Sequence, residues 1–332
     1  MRSPRMWPGG PVLICAILVL AGCDGPQSVL APGGEDAFVL ANLFWFLLAG
    51  AVVLWCAMNG LMFYVTRINP RELSERGAQA LILWGGIAFP TVVLAGLLFY
   101  ALSIMPEQRA EGDGGLRVEV TGEQWWWRVA YWPEGADEPI ISANEVRLPA
   151  GSRSEITLEA DKVIHSFWVP SLGGKSDMIP GRTNRMSLAP TVPGLYRGQC
   201  AEYCGESHAK MAFTAEVLTP EDFAAWLDAE AGPAVPPDTA LAREGRAAFF
   251  AEGCGACHAI RGTPAHGRVG PDLTHLASRA TLAAGTLPMT GEALARWITA
   301  PESVKPGALM PGYDHLPPER IAAMAAYLEG LE

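Results

Sequence analysis

Two apolar stretches, residues 37–65 and 80–105, govern what this chain can fold into. Each reaches or exceeds the ~20 residues that a helix needs to cross a bilayer, a length at which a buried globular hairpin is not expected. The loop between them, residues 67–78, carries Arg67, Arg71 and Arg76. The positive-inside rule therefore puts the loop in the cytoplasm and both flanking ends outside. Pro90 interrupts the second stretch. A membrane helix tolerates this where neighbouring groups satisfy the freed carbonyl, so a kink is expected there. Half of the 332 residues are hydrophobic, too many for an ordinary secreted protein.

Ahead of the first stretch stand Arg2 and Arg5, an apolar run over residues 11–20, and then Leu20-Ala21-Gly22-Cys23. This pattern reads as a signal sequence over residues 1–22 that is cleaved from the mature chain. The last four residues resemble a bacterial lipobox, in which Cys23 would become the lipidated first residue of a short tether, 23–36. An ordinary signal sequence with an incidental cysteine is the alternative. Lys/Arg and Asp/Glu balance over residues 1–106, so the net charge of −11 arises entirely beyond them. An acidic outer half argues against nucleic acid and for a basic partner, or simply provides a solvated surface.

From residue 116 the texture changes to short alternating runs: 117–121, 125–131, 154–158, 163–169, 184–188 and 211–218, separated by Gly, Pro and Asp. Period-two alternation at this spacing predicts a β-sandwich or barrel. Residues 219–229 read as a short helix capped by Thr219 with Pro220 in its first turn. Residues 231–240, with three prolines, form a semi-rigid linker. Helical periodicity over 241–252, 291–299 and 318–331 makes the remainder a small all-α unit. The predicted domains are thus a helical hairpin (37–106), an all-β domain (107–230), the linker and an all-α domain (241–332).

Seven cysteines are present, and four form two close pairs, each with a histidine downstream. That spacing indicates metal or haem chemistry rather than a disulfide framework. Cys15 and Cys56 lie in apolar runs and receive no role. Within 198–211, Cys200, Cys204, His208 and Met211 combine thiolate, imidazole and thioether, a soft set that selects copper over hard cations. Two thiolates four residues apart can bridge two copper ions. A second imidazole is then wanted, and His165, in an apolar strand of the same domain, is the candidate. Alone it would be read as a core histidine. Zinc is the alternative occupant of the cysteine loop.

The pattern Cys-x-Glu-x-Cys-x3-His-x2-Met, preceded by the segment His165 to Arg182, resembles subunit II of cytochrome c oxidase over residues 37–229. The resemblance implies a cupredoxin-like Greek-key sandwich. It implies that His165, Cys200, Glu202, Cys204, His208 and Met211 hold a binuclear CuA centre, Glu202 through its backbone carbonyl. It further implies that the Glu202 side chain reaches a magnesium shared with subunit I, and that Asp177 and Arg182 lie near that interface. In Gln124-Trp125-Trp126-Trp127-Arg128, alternation places Trp125 and Trp127 on one strand face and Trp126 on the other. Core packing suits either set. By the resemblance Trp125 is the residue through which electrons enter from cytochrome c, and with a cytochrome domain attached it would face the chain's own haem. The family often has a glutamate three residues before the first tryptophan of the second membrane helix. Here Leu81 stands three before Trp84, which removes the expected proton-entry side chain.

Cys254-Gly255-Ala256-Cys257-His258 is a covalent haem attachment motif, with two thiols for the haem vinyls and His258 as one axial ligand. The remainder resembles class I cytochromes c, in which the helices around Gly245 and Tyr327 pack together. Met310, in a Met-Pro turn, is the expected second axial ligand, with Met289, His275 and His315 as alternatives. The carbonyl of Pro271 is expected to accept from His258 Nδ1 and so orient the ring.

The function implied is electron relay in a caa3-type oxidase of a bacterial inner membrane. Cytochrome c would reduce the haem c, CuA would receive the electron, and subunit I, accompanied by subunit III, would reduce oxygen to water and translocate protons. A periplasmic copper-delivery lipoprotein is the alternative from another class, and it would have no use for covalent haem. A nitrous oxide reductase-like CuA protein would lack the hairpin, and a quinol oxidase subunit would lack the copper ligands.

Overall fold

The computed structural model describes residues 25–69, 74–106, 112 and 115–332. The leader and Cys23 lie outside these residues. Helices α1 (Glu35–Ile68) and α2 (Glu75–Ile104) are both long and apolar enough to cross a membrane. Ser74 caps the second, its hydroxyl accepting from Gly77 N at 3.2 Å. Phe46, Trp55, Trp84 and Phe99 project from this hairpin more than two-thirds exposed. Such a surface is stable in hydrocarbon and not in water. In α2 a run of wide turns over Leu81–Ala88 leads into Pro90, with Phe89 N–H bonded to Trp84 O, five residues back. Leu81 is half exposed on this run.

The segment before α1 lies along the β-domain. Gly33 N donates to Ser171 O at 2.7 Å, Arg197 N to Pro26 O at 2.9 Å, and Gln27 Nε2 to Gln199 Oε1 at 2.7 Å. Asp36, 6% exposed, receives Arg153 Nη1 at 3.0 Å and Ala189 N at 3.3 Å. Backbone and carboxylate acceptors that would otherwise need water are satisfied by the sandwich.

Strands β1 (Arg117–Glu123), β2 (Trp126–Trp132), β3 (Ile140–Ala143), β5 (Ser154–Ala160) and β8 (Asn184–Leu188) form one sheet in the order β3-β2-β1-β5-β8. The second sheet, β4-β10-β9-β6-β7, joins β4 (Glu145–Pro149), β10 (Ala212–Leu218), β9 (Gly194–Cys200), β6 (His165–Trp168) and β7 (Ser176–Met178). β1 and β5 run parallel, as do β4 and β10, and the other pairs are antiparallel. Alternation along β1 buries Val118 and Val120, and β2 buries Trp127, Val129 and Tyr131. These meet Phe167 and Phe213 of the facing sheet, Trp127 lying 5.0 Å from Phe213 by ring centroid. Trp127 therefore belongs to the core. Trp126 turns outward, with the Arg128 guanidinium 4.7 Å above its ring. Helix α3 (Pro220–Ala231) follows, with the Thr219 hydroxyl accepting from Asp222 N at 3.2 Å and Pro220 in its first turn.

The C-terminal unit packs α4 (Ala240–Ala251), α5 (Gly291–Thr299), α6 (Pro301–Val304) and α7 (Pro318–Glu329) around Phe249, Ile260, Leu294, Met324 and Leu328. The crossing of α4 and α7 requires Gly245, because a Cβ there would lie 1.8 Å from Ala323 O and 2.9 Å from Tyr327 Cβ. Gly245→Ala must push two helix backbones apart and is expected to cost at least about 3 kcal/mol. Loss of the haem-domain unfolding signal at lower temperature, with the β-domain transition unmoved, checks this.

Candidate metal and haem centres

The β-domain centre is assembled from three strand ends. His165 opens β6, Cys200 closes β9, and Met211 immediately precedes β10. The ladder locks them together: Phe167 pairs with Cys200, Cys200 N donates to Met211 O at 2.9 Å, and Ala201 N donates to Ser166 O at 3.0 Å. Cys200 Sγ lies 3.7 Å from Cys204 Sγ, 3.8 Å from His165 Nδ1 and 3.1 Å from the Glu202 carbonyl oxygen. Cys204 Sγ lies 3.5 Å from His208 Nδ1 and 3.8 Å from Met211 Sδ. All six residues thus place a donor atom around one sulfur pair. Among the described residues, the buried set His165, Cys200 and Cys204 has ligand atoms mutually within 4.8 Å.

The arrangement suits cations. Hydrogen bonding from Cys204 holds the Cys200 thiol well below its usual range, while the neighbouring sulfur and burial push Cys204 up. Two buried thiols this close share a proton until positive charge allows both to ionise. His165 is fully buried, and its Nε2 has no partner among the described residues. Its entry between the sheets is permitted by Gly122, where a Cβ would meet the ring at 2.8 Å. The Glu202 carboxylate accepts from Tyr203 N at 3.2 Å. Asp177 Oδ1 lies 3.8 Å from Lys175 Nζ, and Arg182 is exposed.

Two side chains hold the cysteine loop from outside. Trp125 Nε1 donates to Cys204 O at 3.0 Å, and Gln124 Nε2 donates to the same oxygen at 2.9 Å. Trp125 is only 8% exposed. It lines a cavity of about 540 Å³ whose wall also includes Cys254, Cys257, His258, Met310 and Arg279. The Cys-x-x-Cys-His segment forms a single turn, with Cys257 N and His258 N both donating to Cys254 O, at 3.2 and 3.0 Å. It thereby presents both sulfurs and the imidazole to one space. His258 Nδ1 donates to Pro271 O at 2.8 Å. Burial pushes the imidazole's pKa down and favours the neutral form that can ligate iron. The loop from His266 to Pro271 lies tight on the motif: a Cβ at Gly267 would meet Cys257 C at 2.3 Å, and one at Gly270 would meet His258 Cε1 at 2.5 Å.

Of the alternative axial residues, His275 has its ring nitrogens against Glu332 O and Gly232 O, at 2.8 and 3.2 Å. His315 is exposed beside Tyr313, and Met289 packs at the edge of the helical core. None of the three lines the cavity with His258, whereas Met310 does.

Sequence reasoning missed the seam between the two domains. Arg261 donates to Ile141 O at 3.0 Å and Gly232 O at 3.1 Å, and also to Glu230 O. Ala280 N donates to Glu145 Oε1 at 2.6 Å, and Arg147 Nη2 to Ser278 O at 3.1 Å. Lys305, 3% exposed, donates to Trp125 O at 2.5 Å and Ala283 O at 3.0 Å. Burial pushes its pKa down to about 7. The seam's charged side chains, Glu145, Arg147, Arg261 and Lys305, are scattered singly along the chain with no motif to mark them.

Fold and site define a class: a membrane-anchored β-sandwich bearing a two-thiol set of soft metal ligands, joined to a small helical domain with a Cys-x-x-Cys-His haem attachment motif. The family description "Cytochrome C oxidase subunit II, periplasmic domain" matches residues 133–218, and "Cytochrome c" matches residues 242–332. The cytochrome c oxidase subunit 2 of Alkalihalophilus pseudofirmus is 39% identical over 67% of this chain and 63% of its own length. That of Bacillus sp. PS3 is 32% identical over 95% of this chain and 94% of the relative, and that of Bacillus subtilis is 28% identical over 97% of each. The solved periplasmic domain of subunit II of cytochrome oxidase from Bradyrhizobium japonicum is 28% identical, with a TM-score of 0.32, over 37% of this chain and 96% of that one. This chain belongs to the cytochrome c oxidase subunit 2 family: it is subunit II of a haem-copper oxidase, carrying its own cytochrome c domain.

Proposed function

We propose that the chain relays single electrons from an external cytochrome c through a haem c to a binuclear CuA centre and on to subunit I. The observation that carries this reading is that one side chain, Trp125, both lines the cavity of Cys254, Cys257 and His258 and hydrogen-bonds the carbonyl of Cys204. When bound, a haem and a copper pair supply one-electron storage at potentials set by their soft ligands. Cys254 and Cys257 would tether the haem, His258 and Met310 would ligate its iron, and Pro271 would hold the His258 ring. His165, Cys200, Cys204, His208, Met211 and the Glu202 carbonyl would hold copper. His165, Cys200 and Met211 stand at ladder-locked strand ends, and the Cys204 carbonyl is held by Trp125 and Gln124; donors kept still as charge changes favour fast transfer.

The reading extends to oxygen reduction and proton translocation in subunit I, to subunit III as a neighbour, and to a magnesium reached by the Glu202 side chain. It also includes a bacterial inner membrane with both outer domains on the periplasmic side, removal of residues 1–22 and lipidation of Cys23. Intact-mass analysis tests the last two. The proposed domain limits are hairpin 37–106, copper domain 107–230, linker 231–240 and cytochrome domain 241–332.

Metal and haem analysis of the purified chain tests the central reading: two coppers and one covalent haem per chain are expected, with the spectrum of one electron shared by two coppers. A chain binding one readily released copper would overturn it. Trp125→Phe keeps the ring in the cavity wall and removes the indole donor to Cys204 O. Haem-to-copper transfer followed after flash reduction is expected to slow on the order of 10-fold with copper and haem contents unchanged, as for lost support of a ligand shell.

A further inference from the structure

Four consecutive residues of the cytochrome domain lie against the copper loop. Val304 O accepts from Lys210 Nζ, and Lys305 Nζ donates across the seam to Trp125 O. Pro306 O accepts from Ser207 Oγ at 2.7 Å. Gly307, at φ +76°, sits where a Cβ would meet Trp125 Cη2 at 2.6 Å and Glu206 Oε2 at 2.9 Å. This strip of chain makes Trp125 and Ser207 interior residues of a molecule whose copper loop would otherwise be a surface. Met310 follows three residues later, so the strip joins the wall of the haem cavity to the carbonyl-capped end of the cysteine loop.

Lys305 is the unusual member. Among the described residues it has no ion-pair partner; two carbonyls, one from each domain, receive its ammonium. An apolar side chain would seal the same seam without the cost of burying an unpaired charge. The ammonium therefore contributes something that packing does not: a charge-assisted bond reaching from the cytochrome domain to the backbone of the tryptophan that supports Cys204.

Building on the relay reading above, we propose that Lys305 is a positioning residue for electron passage between the two centres. Its ammonium bridges Trp125 O and Ala283 O, clamps residues 304–307 over the Trp125 indole and keeps that indole in place between the haem cavity and Cys204. The passage moves one electron and no atoms: the donor side is oxidised by one electron, the acceptor side is reduced by one, and the clamp ends unchanged. With Trp125 closed over, an external redox protein has to deliver its electron at the haem edge.

The test uses the complete oxidase carrying Lys305→Met, examined at pH 6. Hydroxyl-radical labelling of Trp125 is expected to rise several-fold. Electron passage after flash reduction slows by about 10-fold or more, the copper-centre potential becomes more negative, and haem and copper contents hold. Lys305→Arg, which keeps the charge, restores the potential, a response that a merely space-filling residue would not give. Wild-type labelling, passage and potential in Lys305→Met overturn the clamp. If Lys305→Met does not assemble, Ser207→Ala, which removes only the bond to Pro306 O, must still raise Trp125 labelling, and an unchanged value overturns the clamp. Failure of the wild-type oxidase to pass electrons from haem to copper overturns the relay reading itself, a separate result.

Discussion

Cys204→Ser is expected to yield an oxidase with covalent haem and no copper pair. Cys204 lies 2% exposed at the centre of the donor set, within 3.5–3.8 Å of Cys200 Sγ, His208 Nδ1 and Met211 Sδ. A serine hydroxyl neither ionises in this pH range nor offers the polarizable lone pairs that let one sulfur serve two soft ions. The remaining thiol of Cys200 can hold at most a single copper, so the shared-electron spectrum should vanish and the copper content should fall from two to one or none. Turnover with external cytochrome c should fall by more than ~100-fold, because loss of a ligand exceeds the 10–100-fold typical of losing ligand support. The cytochrome domain has its own core and its own cysteines, so its haem should still be reduced by the donor and then stay reduced. Metal analysis together with the haem redox state under turnover checks both halves. Full copper occupancy with normal turnover in this variant would sink the assignment of a two-copper thiolate cluster.

The parts of this architecture legible in the sequence are those with a strong local signal. Membrane spans announce themselves by length, and β1, β5 and β10 by alternation that one buried face enforces. The four larger helices outside the membrane announce themselves by period, and the first also by its Thr219 cap; in the fold Thr219, Thr239 and Thr290 hydroxyls each accept from an N–H three residues on. The strands missed are short or interrupted. β3 and β4 are split by Asn144 in a left-handed conformation (φ 63°), β7 has three residues, and β9 carries Gly194 and Gly198, the latter admitting Phe213 where a Cβ would lie 2.1 Å from its ring. The donor residues were legible because soft-ligand chemistry needs rare residue types at close spacing. The docking of the two domains was not, since it rests on backbone carbonyls receiving Arg128, Arg147, Arg261 and Lys305, and carbonyls leave no trace in a sequence. Trp125 shows the consequence. Its motif marked it as a point of electron entry facing the chain's own haem, while the strip 304–307 that covers it is seen only in the fold.

Met310→Ala should separate attachment of the haem from its tuning. Cys254 and Cys257 are untouched by the change, so the covalent haem should load normally. The sulfur that shares the cavity wall with His258 is lost. Histidine–methionine ligation holds a c-type haem at high potential, because a thioether favours the ferrous iron. With the sulfur gone, a water or a harder ligand occupies the position and the potential falls. Each 59 mV lost by a one-electron centre costs a factor of 10 in the equilibrium for accepting the donor's electron, so a fall of about 120 mV reduces that equilibrium about 100-fold. Oxidase turnover should drop in proportion, while the copper content and the copper potential stay as they are. The competing residues make opposite predictions: Met289→Ala, His275→Gln and His315→Gln should leave the haem spectrum and potential unaltered. His275→Gln should instead loosen the C-terminus, whose Glu332 carbonyl its ring meets at 2.8 Å. Redox titration of the haem in the four variants decides the matter: an unchanged midpoint in Met310→Ala, or a fall in any of the others of comparable size, would move the axial ligand away from Met310.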